Sequence, residues 1–350
     1  MVSLGLLAGC TSVAQHSHSA TPDVASPVAK PTTGGERPVR PKSPAASVPV
    51  PTLARGVSAL ATVGSVPVVT VHLIGPAGPG QGDISVAVFN PARTQLVLHA
   101  GSLQPLPGGS WSNGPQVSPQ ERTVLLAAFN GGFKIADARG GWVSEGRTVA
   151  PLVPGAASVV IYADGGTDIG SWGVEVPAAH RQVVSVRQNL QLLIDGGVSQ
   201  HVVTTSESGL EQIWGIAYEG APLISRSALG ITASGALVWA AGTDVTVGAL
   251  ADALLAQGVQ RALELDINAP LVRGFLYAEP ATLTTSSPLD NGMLALVAGQ
   301  TQPAAGQSPT GADAVPQCTY LTTCSRDFFT VLIRNSGDGR IHEMRPSSGS

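Results

Sequence analysis

Polar and apolar positions along this chain follow mainly a period of two. Short alternating or all-apolar runs, each closed by Gly, Pro, Asn or Asp, recur from residue 66 to residue 334, and such punctuated runs read as strands. Residues 66–73 alternate. Residues 84–90 and 94–100 read as a hairpin across Asn90-Pro91-Ala92-Arg93. Residues 124–129 are wholly apolar, as a buried core strand requires. Residues 158–163 and 169–176 flank Asp164-Gly165-Gly166, and residues 228–232 and 236–241 flank Ala233-Ser234-Gly235; both pairs predict hairpins. Residues 183–186 lead through Arg187-Gln188-Asn189 into a continuing strand at 190–194, and residues 261–266, 293–298 and 328–334 complete the set. One stretch has convincing helical spacing. Thr246 is placed as an N-cap, Val247, Leu250, Ala251 and Leu254 share a face, and Gly258 sits where a helix stops. No unit of 20–50 residues repeats. The expected class is α+β: a single strand-rich domain with a mixed, largely antiparallel sheet and few helices.

The amino end has a different texture. Residues 2–9 are a short apolar run, far below the ~18 residues that span a bilayer, and they end in Leu7-Ala8-Gly9-Cys10, which resembles a lipobox. Residues 1–10 are therefore expected to be a lipoprotein-type signal segment, with Cys10 carrying lipid and holding the protein on the outer face of the cytoplasmic membrane, the alternative being a secreted protein. Residues 11–57 are rich in Pro, Ser, Thr, Ala and Val and lack aromatics, which predicts a disordered tether. Residues 58–350 form the expected globular domain.

Composition narrows the partners. The net charge of −4 offers no basic field for nucleic acid. Cys318 and Cys324 are the cysteines left beyond Cys10, and an exported protein favours a disulfide between them. A zinc site would need further Cys or His nearby, so no metal and no cofactor is expected. The chain has no G-x-S-x-G elbow, no H-E-x-x-H and no P-loop.

Candidate chemistry lies at strand ends. The apolar run 124–129 breaks off in Asn130-Gly131-Gly132. Two glycines permit positive φ and let another group come close. Further on, Glu264, Asp266 and Asn268 alternate with apolar residues, so a strand would aim all three to one side. Residues two apart on a strand are about 6.6–6.8 Å apart. Two carboxylates are the ordinary tools of glycosidic cleavage, one protonating the leaving oxygen and the other serving as base or nucleophile. The plainer reading is an acidic pair held by arginine for folding alone.

With Arg187-Gln188-Asn189, with Arg226-Ser227-Ala228-Leu229-Gly230-Ile231 and with the helix before Glu264, these two runs resemble the phosphodiester glycosidase family across residues 120–300. The resemblance implies hydrolysis of a sugar-1-phosphodiester, here in an envelope glycan or glycolipid. Asp266 and Glu264 take the acid/base or electrostatic roles. Phosphate departs well, so arginine to steady its charge matters more than acid assistance; Arg226, which matches the family's Arg-x-x-x-Gly, and Arg187 are its candidate ligands. Asn130 with Gly131 and Gly132, Asn189 and Asn268 would position the sugar. One departure stands out: the family continues Leu-Asp with Gly-Gly-Gly-Ser, whereas Asp266 is followed by Ile267-Asn268-Ala269-Pro270. The rival reading is a non-catalytic envelope module that binds a phosphorylated glycan.

Overall fold

The apolar runs become strands, and the strands sort into three sheets. The computed structural model describes residues 57–63, 66–200, 213–216, 221, 223–269, 271–277, 293–298 and 318–334, all within one compact unit, Val48–Ser350. The largest sheet runs, in spatial order, β1 (Val57–Val63), β2 (Val66–Ile74), β3 (Ile84–Phe89), β14 (Leu237–Val245), β13 (Ile224–Thr232), β15 (Val259–Ile267), β11 (Leu192–Asp195) and β12 (Val198–Ser199). A second has the order β17 (Met293–Ala298), β16 (Arg273–Tyr277), β5 (Leu125–Asn130), β18 (Phe328–Ile333) and β4 (Thr94–His99). The third has the order β7 (Arg147–Ala150), β6 (Trp142–Ser144), β10 (Val183–Gln188), β8 (Ala157–Tyr162) and β9 (Thr167–Ser171). Cys10 and the segment 11–56 lie outside the described residues.

The class is mostly-β rather than α+β. Every strand ladder among the described residues is antiparallel, so the expected mixed sheet is not formed. The named helices are α1 (Pro119–Arg122), α2 (Ile135–Ala138) and α3 (Val247–Leu255). The last is the helix expected from spacing. Thr246 Oγ1 accepts from Ala249 N at 3.1 Å, Leu250, Ala251 and Leu254 are buried, and Gly258 has φ +76° beyond its end. It packs on the outer face of the largest sheet, against Val86, Ala228, Val238 and Ala240.

The hairpins at Asp164-Gly165-Gly166 and Ala233-Ser234-Gly235 form as β8–β9 and β13–β14. The hairpin expected at Asn90 does not. β3 is buried along nearly its whole length because β2 and β14 flank it on both sides, so no edge is left for β4. The chain instead passes to the second sheet, where β4 pairs with β18. The strand expected to continue from 183 to 194 likewise breaks. Leu190 takes φ +48°, and the chain leaves the third sheet at Asn189 to enter the largest as β11.

The sheets pack around an aromatic centre. Phe129 on β5 lies with its ring centroid 5.5 Å from Trp239, 5.9 Å from Phe329 and 6.4 Å from Phe89, separations typical of favourable ring pairs. Trp239 on β14 presses on Gly274 of β16, where a Cβ would come within 2.7 Å of indole carbons. A glycine is required there for the two sheets to close. Phe129 is thereby fixed one residue before Asn130, and the strand end becomes a rigid platform.

Candidate functional site

Ends of strands from all three sheets meet beyond Phe129. Asn130 closes β5 and is 6% exposed. Its Nδ2 donates to Ser227 Oγ at 2.9 Å, and Ser227 Oγ donates to the Asp266 carbonyl at 2.8 Å. Its Oδ1 accepts from the Arg273 backbone N–H at 3.2 Å. One amide side chain thus joins β5, β13, β15 and β16.

Gly131 donates its N–H to the Asp327 carbonyl at 3.0 Å, and its own carbonyl accepts from Asp266 N at 3.1 Å. Neither Gly131 nor Gly132 adopts positive φ, contrary to the turn expected from the sequence. Both are needed for close approach. A Cβ on Gly131 would stand 2.7 Å from the Asp327 carbonyl oxygen and 2.8 Å from its Cγ; one on Gly132 would stand 3.1 Å from Asn189 Oδ1 and 3.2 Å from Arg187 Cζ. The group that comes close is the protein's own.

The acidic residues are placed differently from one another. Asp266 faces a pocket that it lines with Asn130, Gly131, Arg273, Tyr320, Arg326 and Asp327. Its Oδ2 pairs with Arg326 Nη2 at 2.8 Å, and its Oδ1 accepts from Ile267 N at 3.0 Å. Burial pushes its carboxyl up to about 6, against the pull of Arg326 and of that backbone N–H. Glu264 is buried behind the pocket and does not line it. Its Oε1 meets Arg226 Nη1 at 2.7 Å, while Oε2 is buried without a partner. Burial pushes Glu264 up to about 7 in spite of Arg226, and the charge of Asp266 adds to the rise. A charge removed from water at both oxygens and paired at one explains why desolvation wins.

The two arginines singled out from the sequence are likewise committed inward. Arg226 holds Glu264 and donates to the Trp214 carbonyl at 3.4 Å. Arg187, 1% exposed at the end of β10, holds Asp327 through Nε at 2.7 Å and Nη2 at 3.3 Å, and also donates to the carbonyls of Gln188 and Phe133 at 2.8 and 2.5 Å. Asn189 clips the turn to β15: Oδ1 accepts from Phe133 N at 3.2 Å and Nδ2 donates to the Glu264 carbonyl. Asn268 departs from the expected alternation. β15 ends at Ile267, Asn268 takes φ +73°, and its Nδ2 donates to the Ile216 carbonyl at 3.4 Å. It does not line the pocket.

Arg273, Arg326, Asp327 and Ser227 were not singled out by sequence reasoning. Arg326 and Asp327 carried a signal nonetheless. They sit between Cys324 and the apolar run opening at Phe328, which is the same polar-residue-at-a-core-strand-end design as Asn130 and Asp266. Cys318 and Cys324 form a disulfide with Cα atoms 5.3 Å apart, and both line the pocket. The bond closes the loop that carries Tyr320 and ends just before Arg326 and Asp327, and it fits a protein folding outside the reducing cytoplasm. No helix among the described residues is long and apolar enough to cross a membrane, and none of their His, Cys, Asp and Glu form a group of three or more able to hold a metal ion.

No protein-family model matches the chain, and no curated protein matches it in sequence. Solved structures are similar to it at a distance. The catalytic domain of zebrafish N-acetylglucosamine-1-phosphodiester alpha-N-acetylglucosaminidase, auto-inhibited by its pro-peptide, is similar at 15% identity and a TM-score of 0.44, over 81% of this chain and 89% of that one. A hypothetical protein from Synechocystis is similar at 14% identity and a TM-score of 0.41, over 80% and 64%. A protein described as exported, from Burkholderia pseudomallei, is similar at 11% identity and a TM-score of 0.33, over 78% and 76%.

Proposed function

We propose that this chain hydrolyses a sugar-1-phosphodiester of an envelope glycan or glycolipid, with Asp266 as the general base. The observation that carries the reading is Asp266 itself: a carboxylate at a strand end, facing a pocket walled by arginines, with its proton affinity raised to about 6. A base with a pKa just under the working pH is both ionised and strong enough to take a proton. Water would add to the sugar's C1 as its proton passes to Asp266. The C1–O bond breaks, and its electron pair stays on the phosphate oxygen. Phosphate needs no proton to leave, so Asp327, the other carboxylate lining the pocket and held by Arg187, need not act as an acid. Glu264, locked to Arg226, steadies β15 and β13 rather than touching substrate. The motif resemblance over residues 120–300 supports the same reaction class.

A second reading, recognition of a phosphorylated glycan without turnover, is favoured by the ion pair that already occupies Asp266, whose Oδ2 lies 2.8 Å from Arg326 Nη2. The experiment is a panel of sugar-1-phosphodiesters offered to the parent and to Asp266→Asn, with release of free sugar as the signal. The hydrolase reading expects turnover by the parent and a loss of about 10²–10⁴-fold in the variant. Binding without turnover by the parent selects the second reading.

A further inference from the structure

Two arginines other than Arg187 and Arg226 face the pocket. Arg273, half-buried at the head of β16, pairs with no carboxylate among the described residues; its guanidinium makes one long donation, 3.4 Å to the Cys318 carbonyl. Arg326 Nη2 is shared between Asp266 Oδ2 at 2.8 Å and the Gly132 carbonyl at 3.0 Å, while its buried Nε has no partner. Counted together, Arg187, Arg226, Arg273 and Arg326 stand against Glu264, Asp266 and Asp327. Among the described residues four cations face three anions, one negative charge short.

Buried or half-buried guanidinium groups with spare donors are costly until acceptors arrive. A phosphoryl group supplies both the missing charge and the acceptors, and guanidinium binds its oxygens in a fork. Arg273 and Arg326 line the same pocket. We propose that Arg273 and Arg326 form the seat of a phosphoryl group, and that the arriving anion draws Arg326 away from Asp266. The identity of the anion rests on the phosphodiester reading above; the seat does not. Once Arg326 turns to phosphate, Asp266 keeps only the Ile267 N–H on its carboxylate. Losing its ion-pair partner strengthens it as a proton acceptor. The empty site therefore holds its base clamped, and the phosphate of the substrate releases it.

The test is calorimetric titration of the full chain with inorganic phosphate near pH 7.5. The parent is expected to bind. Arg273→Gln should weaken binding about 10–100-fold, the worth of one charge-assisted contact, and Arg273→Lys should restore part of it. Asp266→Asn should tighten binding about tenfold, because Arg326 is then free at the outset. The double variant Asp266→Asn with Arg326→Gln should lose that gain. No phosphate binding by folded parent protein, or parent-like binding by Arg273→Gln, overturns the seat. Unchanged or weaker binding by Asp266→Asn overturns the handover. Phosphate binding with the expected variant pattern but no hydrolysis of any phosphodiester would remove the hydrolase reading and leave the seat. Hydrolysis whose KM ignores Arg273→Gln would do the reverse.

Discussion

Asp266 Oδ2 and Arg326 Nη2 meet at 2.8 Å across the seam between two sheets, Asp266 near the end of β15 and Arg326 two residues before β18. The contact joins the sheets and engages Asp266, the carboxylate proposed above as the base. A base protected this way should reveal itself in its titration. The value of kcat/KM for phosphodiester hydrolysis is expected to rise with pH through about 6, the value to which burial pushes Asp266, and then to level off. A profile that falls over the same range would assign the base elsewhere.

Stability should run in the opposite sense. Glu264 is raised from 4.5 to about 7 and Asp266 from 3.8 to about 6, chiefly by burial. The folded state therefore binds these protons more tightly than the unfolded chain. That contribution is fully present below the unfolded values and is lost as pH rises through the folded ones. The melting temperature is expected to fall between about pH 4 and about pH 7 and to level off above. Glu264→Gln, uncharged throughout, should flatten most of that slope; a variant with the parent's slope would mean that Glu264 is not its source.

Arg187 and Asp327 are 1% and 2% exposed at their side chains, so removing either leaves the other charge buried and alone. Arg187→Ala or Asp327→Ala should cost about 3–5 kcal/mol in denaturant unfolding. The double variant should cost clearly less than the two added together. Strict additivity would show that the pair is not coupled.

Gly131→Ala would force a methyl group against the Asp327 backbone and carboxylate, which cannot retreat without parting from Arg187. A loss of about 1–3 kcal/mol is expected, with phosphate binding reduced as well. Gly146 has open space around its Cβ position and serves as the control: Gly146→Ala should pay only for its φ of +70° and leave binding intact.

Replacing Cys318 and Cys324 by Ser removes a cross-link over a span of six residues. Chain entropy sets the cost at about 2 kcal/mol, a loss visible in the melting temperature. Phosphate affinity should fall further than that loss of stability accounts for, because Arg326 follows the cross-linked loop by two residues. Undiminished affinity would show that β18 alone holds Arg326 in place.

Strands and the single long helix were legible because period and punctuation are local properties. Asn130 and Asp266 were legible for the same reason: each is a polar residue where an apolar run stops. Pairing between strands was not. β3 and β4 are neighbours in sequence and belong to different sheets, since burial of β3 on both edges is decided by β2 and β14. The roles of Arg187 and Arg226 were hidden too. An arginine reads alike whether it waits for phosphate or already holds a carboxylate, and the partner Asp327 lies 140 residues from Arg187. Asn268 misled because alternation was carried one residue past the strand's end, where the backbone turns left-handed.

The position of β18 has a temporal consequence. It is the last strand described in the chain, yet it inserts between β5 and β4 in the interior of its sheet. Until it arrives, the N–H of Gly131 lacks its acceptor, Arg187 lacks its counter-charge and Asp266 lacks its clamp. Contacts this distant in sequence form slowly. A chain emerging from ribosome or export channel therefore carries no assembled pocket until β18 has docked, and a molecule cut short before Arg326 is born without one.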